Sequence, residues 1–97
     1  MWKVTTNKKV AKKLQRYSFI NTHFERLISD LKQYGPQLTW WSHFSKLKNG
    51  SGLYHCHISS GKKGFPTLIA LWIVVNEKDK IMEVRDVITH GEFDKKY

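Results

Sequence analysis

The sequence predicts an α+β fold in which two N-terminal helices pack on one face of a small twisted antiparallel sheet, in the order β-α-α-β-β-β. Three observations carry this: apolar residues recur at helical spacing in the first third, the second half alternates or runs continuously apolar as strands do, and turn signals separate the segments. A chain of 97 residues has room for one core, so residues 1–97 are expected to form a single domain.

Trp2 to Thr5 alternate enough for a short first strand. Val10, Ala11, Leu14 and Tyr17 then fall at helical spacing, with Lys8, Lys9, Lys12, Lys13 and Arg16 filling the other faces. Thr22 and Glu25 have the spacing of a capping box, and Phe24, Leu27, Ile28 and Leu31 form the apolar stripe of a second helix. Gly35-Pro36 ends it. Residues Gln37 to Lys48 read as an irregular or short helical connection that lays Trp40, Trp41, Phe44 and Leu47 over a sheet edge, with Trp40, Trp41 and Trp72 serving the core.

After the turn residues Asn49-Gly50-Ser51-Gly52, Leu53 to Ile58 alternates. Tyr54, Cys56 and Ile58 share one face of this strand, and Leu53, His55 and His57 the other. Ser59 to Pro66 is a basic, glycine-containing loop, and Thr67 to Val75 has the unbroken apolar character of a central strand. Asn76 to Lys80 reverses the chain into a last strand, Ile81 to Ile88. The three strands should form an antiparallel meander whose face away from the helices is left open to a ligand.

Seventeen Lys and Arg against eight Asp and Glu give a formal charge of +9, which favours a polyanionic partner: nucleic acid, an anionic membrane or an acidic protein. The longest apolar run, Leu68 to Val75, is far short of the roughly 20 residues that span a bilayer, and the N-terminus lacks the apolar stretch of a signal peptide. Cys56 is a single cysteine and has no internal disulfide partner, so the cytoplasm is the expected compartment.

His55 and His57 share a strand face, and His90 lies just past the end of the last strand, so three imidazoles can converge on the open face of the sheet. RNA is cut without metal when a base removes the 2′-hydroxyl proton, an acid protonates the leaving 5′-oxygen and cations stabilise the charged phosphorane. Histidine suits both proton roles, Lys62, Lys63 and Arg85 offer cations, and Tyr97 or Phe93 could stack on a base. Taken alone, two histidines on a strand face are more often solvated surface than a catalytic pair. A metal site on His55, His57 and His90 is weaker still, because no carboxylate or thiolate completes a zinc set and Cys56 points to the other face. His23 and His43 have no evident partner.

The order of elements, the segment Leu47-Lys48-Asn49-Gly50-Ser51-Gly52-Leu53-Tyr54-His55-Cys56-His57-Ile58 and the C-terminal Val87-Ile88-Thr89-His90-Gly91-Glu92-Phe93 resemble the RelE/ParE superfamily of toxins. Cys56-His57 and Thr89-His90 are similar to its histidine-using YafQ branch. The resemblance implies an endonuclease, without cofactor, that cuts messenger RNA in the ribosomal A site. It also implies an acidic antitoxin wrapped around the toxin, in an assembly that could reach a heterotetramer. His57 and His90 would then be the general acid and base, His55 would replace a basic residue of the family, and Tyr97 or Phe93 would stand for its terminal aromatic. Where many members carry an arginine at the start of the central strand, this chain reads Leu68-Ile69-Ala70, which leaves the phosphate to Lys62, Lys63 or Arg85. Rival readings are the gyrase-inhibiting ParE branch, which cuts nothing and generally lacks a converging histidine set, and a non-catalytic RNA-binding module.

Overall fold

The computed structural model describes residues 1–59 and 62–97. Its order is β1 (Lys3–Thr5), α1 (Lys8–Arg16), a 3₁₀ turn (Ser18–Ile20), α2 (Asn21–Tyr34), β2 (Ser45–Lys46), β3 (Tyr54–Ile58), β4 (Leu68–Asn76), β5 (Ile81–Thr89) and α3 (His90–Lys96). The expected β-α-α-β-β-β core of this order is present, with β2 and α3 added to it.

Helix α1 starts where the Asn7 side chain accepts a hydrogen bond from the Val10 backbone N–H at 2.9 Å. Val10 is its one fully buried residue, and Lys13 and Arg16 occupy the last turn, where cations complement the helix dipole. Helix α2 does not start at the expected capping box. The 3₁₀ turn runs directly into it and Ile20 occupies the cap with no side-chain bond, so Thr22 and Glu25 lie inside the helix. The turn itself does part of the work a capping side chain would do, because the N–H of Asn21, the first residue of α2, donates to the Ser18 carbonyl. Gly35 ends α2 at φ +86°, and a Cβ there would lie 3.0 Å from Trp2 Nε1, so both conformation and space demand glycine.

The sheet order is β1-β5-β4-β3-β2. Strands β3, β4 and β5 form the expected antiparallel meander, while β1 joins the far edge parallel to β5, pairing Lys3 with Ile81 and Val4 with Met82. Phe24, Leu27 and Leu31 of α2 and Val10 of α1 pack on Cys56, Ile58, Ala70, Trp72, Met82, Val84 and Val87 to make the main core. Trp72 is fully buried and donates its indole N–H to the Pro36 carbonyl at 3.0 Å. Trp41 packs against this core only partly buried. Trp40 is 57% exposed, contrary to its assignment to the core, and stands edge-on to Tyr34 at 5.1 Å.

Between β4 and β5 the register slips at Leu71/Trp72, where Leu71 faces Asp86 and Trp72 faces Val84, leaving Arg85 as the extra residue of a bulge. The bulge lets Val84 and Val87, three positions apart, reach the same core, whereas Ile88 joins the opposite face.

That opposite face is not simply open, as the sequence suggested. Leu53, Ile69, Leu71 and Ile88 form a second, smaller cluster, with Leu47, Ile73 and Phe93 packed against it. Phe93 belongs to α3, which begins with a capping box: Glu92 N–H donates to Thr89 Oγ1 at 3.2 Å and Thr89 N–H to Glu92 Oε1 at 3.2 Å. Lys13 of α1 binds Glu92 at 2.9 Å, and buried Asp86 meets Lys9 at 2.8 Å and Lys96 at 3.8 Å. Among the described residues no helix is long and apolar enough to cross a membrane.

Candidate functional site

Strand β2 pairs Ser45 with His55 and Lys46 with Tyr54 along the edge of β3. Beyond that short ladder the preceding chain stays close, because the His57 backbone N–H donates to the Ser42 carbonyl at 2.8 Å. This contact carries His43 alongside His57. His43 adopts φ +55°, a left-handed conformation uncommon for any residue but glycine, and its Nδ1 lies 2.9 Å from Ser42 Oγ. The His43 ring stacks on that of His57, with centroids 4.1 Å apart and planes 15° from parallel.

His90, the first residue of α3, meets the same ring edge-on at 4.7 Å and 82°. His55 stands 6.1 Å from His57 on the same strand face, its Nδ1 lying 3.2 Å from both Ser45 Oγ and the Ser45 carbonyl. Its other neighbour is Phe93, stacked at 5.3 Å. Thus the convergence of His55, His57 and His90 expected from the sequence is present, and His43 completes a cluster centred on His57.

The surroundings set the charge of His57. Loss of water contact, reinforced by repulsion from His43, His90 and His55 in that order, pushes its pKa down to about 4. His57 is therefore a neutral imidazole at neutral pH, able to receive a proton.

The other candidates divide. Phe93 is held between His55 and the second core, and the Tyr97 ring lies tilted by 30° against Phe93 at 5.6 Å. Tyr97 also lines a cavity with Lys9, Arg85 and Asp86 that the histidine cluster does not share. Arg85 is ion-paired with Glu83. Lys62 and Lys63 lie in the turn that closes with Phe65 N–H donating to the Lys62 carbonyl at 3.3 Å, and the Phe65 ring packs tilted against Phe19 at 4.7 Å. The start of β4 is Leu68, Ile69 and Ala70, all buried, so the central strand presents no cation there. His43 escaped sequence reading because no periodicity governs a connecting segment. The only signal was its place in the aromatic run Trp40-Trp41-Ser42-His43-Phe44.

A face-to-face pair of imidazoles does not suit a shared metal ion, since ring nitrogens donate in the ring plane. Among the described residues no group of three or more His, Cys, Asp and Glu side chains stands where one ion could be held.

Two solved structures have this arrangement of elements. A metal-bound toxin from Helicobacter pylori superposes with a TM-score of 0.71 at 19% identity, covering 95% of this chain and 98% of that one. The archaeal RelE–RelB complex from Pyrococcus horikoshii OT3 matches with a TM-score of 0.55 at 25% identity, covering 93% of this chain and 96% of that one. No protein-family model matches the chain, and no curated protein does. With nearly the whole length of both chains superposed, and the meander and the two N-terminal helices in place, the chain has the fold of the RelE/ParE-like toxins.

Proposed function

We propose that this protein is the toxin of a toxin–antitoxin pair and cuts messenger RNA on the ribosome. The observation that carries the reading is the neutral His57 ring held between His43 and His90 on a strand of a RelE/ParE-like fold. In the proposed reaction His57 takes the proton of a 2′-hydroxyl, the 2′-oxygen attacks the adjacent phosphorus, and the bond from phosphorus to the 5′-oxygen breaks as His90 protonates that oxygen. The products are a 2′,3′-cyclic phosphate and a 5′-hydroxyl. Lys62, Lys63 and Arg85 are the cations assigned to the phosphate, Arg85 having to leave its ion pair with Glu83 to serve.

The charge of +9 suits both the proposed RNA substrate and an acidic antitoxin, and the archaeal RelE is known in complex with RelB. The cytoplasm is the compartment where both would be met. The test is incubation of the purified protein with programmed ribosomes, followed by mapping of the cut and of its ends. Cleavage in the A site with cyclic or 3′-phosphate and 5′-hydroxyl ends is expected, with free RNA cut poorly. Ends of 5′-phosphate and 3′-hydroxyl would point to a water nucleophile instead. Failure of supercoiling with translation intact would favour gyrase as the target.

A further inference from the structure

We infer that the cavity beside the histidine cluster is a nucleobase subsite, a reading that rests on RNA being the substrate and names what its nucleotides touch. The cavity, of about 330 Å³, lies between α2, the turn before β2 and the end of β3. That volume is at the lower end of the roughly 300–1,000 Å³ of small-molecule pockets. Trp41, His43 and His57 give it aromatic walls, and His23, Ser42 and Thr67 add polar groups.

This composition selects its occupant. The Trp41 indole N–H is already donated to Asp30 at 2.9 Å, so Trp41 offers an occupant its ring surface and not a hydrogen bond. Among the described residues neither Lys nor Arg lines the cavity, which leaves a phosphate without a fixed cation there. An aliphatic occupant would leave imidazole and hydroxyl groups facing apolar atoms. A flat heteroaromatic ring satisfies both demands, stacking on the aromatic surfaces and bonding through its edge, as unstacked RNA bases do. His57 belongs to the cavity wall and to the cluster at once, which puts the bound base next to the phosphate to be cut.

The experiment uses the full chain, isotopically labelled for NMR and titrated with nucleoside 3′-monophosphates, with ribose 5-phosphate and inorganic phosphate in parallel. Nucleotides should shift the Trp41 indole signal and the His43 ring signals to saturation, and neither base-free probe should move Trp41. Thr67→Trp, which blocks much of the cavity, should weaken nucleotide binding about tenfold, within the range expected for losing one stacked base. If that variant does not fold, His23→Trp serves the same purpose. A Trp41 signal unmoved by nucleotides, or moved equally by ribose 5-phosphate, overturns the subsite. Ribosomal cleavage by the same preparation is scored separately. Cleavage without a Trp41 response leaves the nuclease standing and removes the subsite, whereas a Trp41 response without cleavage does the reverse.

Discussion

His43 lies flat against His57, centroid to centroid at 4.1 Å, although one residue belongs to a loop and the other to β3. Two imidazoles in this contact repel each other when both carry a proton, and this repulsion is one of the causes that lower the His57 pKa.

The His57 ring, followed by NMR, should have its midpoint near 4, and His43→Gln should move it upward by removing one of the repelling neighbours. A midpoint near the ordinary value of about 6.5 would contradict the burial and crowding described above.

Stability should follow the same group. Because folding lowers the His57 pKa, the unfolded chain binds more protons between about 6.5 and about 4, and stability therefore rises with pH across that window. The contribution is complete above the unfolded value and is lost as pH falls toward the folded one. Urea midpoints at pH 7 and pH 5 should differ less for His57→Gln than for the parent chain.

If His57 and His90 exchange protons with RNA, replacing either by alanine should slow single-turnover cleavage about 10²–10⁴-fold while melting stays unchanged. His55→Ala should cost less, since that ring is occupied by Ser45 and Phe93. The double replacement should not multiply the two losses, as expected of groups acting together. Full activity in both single variants would remove the proposed mechanism.

Asp86 is 1% exposed and its carboxylate is paired with Lys9 and, at longer range, Lys96. Lys9→Ala should destabilise the fold by about 1–3 kcal/mol, because it strips a buried carboxylate of its nearer cation. The lower half of that range is expected, since the Lys9 side chain is 51% exposed and partly screened by water. An unchanged melting temperature would mean that Lys96 replaces it fully.

Burial pushes the Cys56 thiol up to about 12, so it is protonated and shielded in the native state. Alkylation should proceed only as fast as the chain opens, and should become rapid in guanidinium. Immediate stoichiometric modification in native buffer would show that the strand is not packed as described.

Much of this arrangement could be read from residue order, because alternation places His55 and His57 on one face and the meander brings the end of β5 back beside β4. Helix α3 was harder to see. It has seven residues, with Phe93 its one large apolar anchor, so no stripe announces it, although Thr89 and Glu92 carry the capping pattern. The same pattern at Thr22 and Glu25 misled, since the preceding 3₁₀ turn had already started the helix. His43 depends on a left-handed backbone and a single contact from Ser42 to His57, neither of which leaves a periodic trace.

The parallel pairing of β1 with β5 joins residues from opposite ends of the described order, Lys3 with Ile81 and Thr5 with Glu83. Such contacts have high sequence separation, so their loop-closure entropy must be met before the pairing returns any stabilisation. During synthesis the first strand must wait for the fifth, and the histidine cluster must wait with it, because His90 follows directly on β5. A nascent chain that has not yet reached α3 holds His43, His55 and His57 but not the ring that closes the cluster around them. The histidine cluster is thus completed only once α3 has been made.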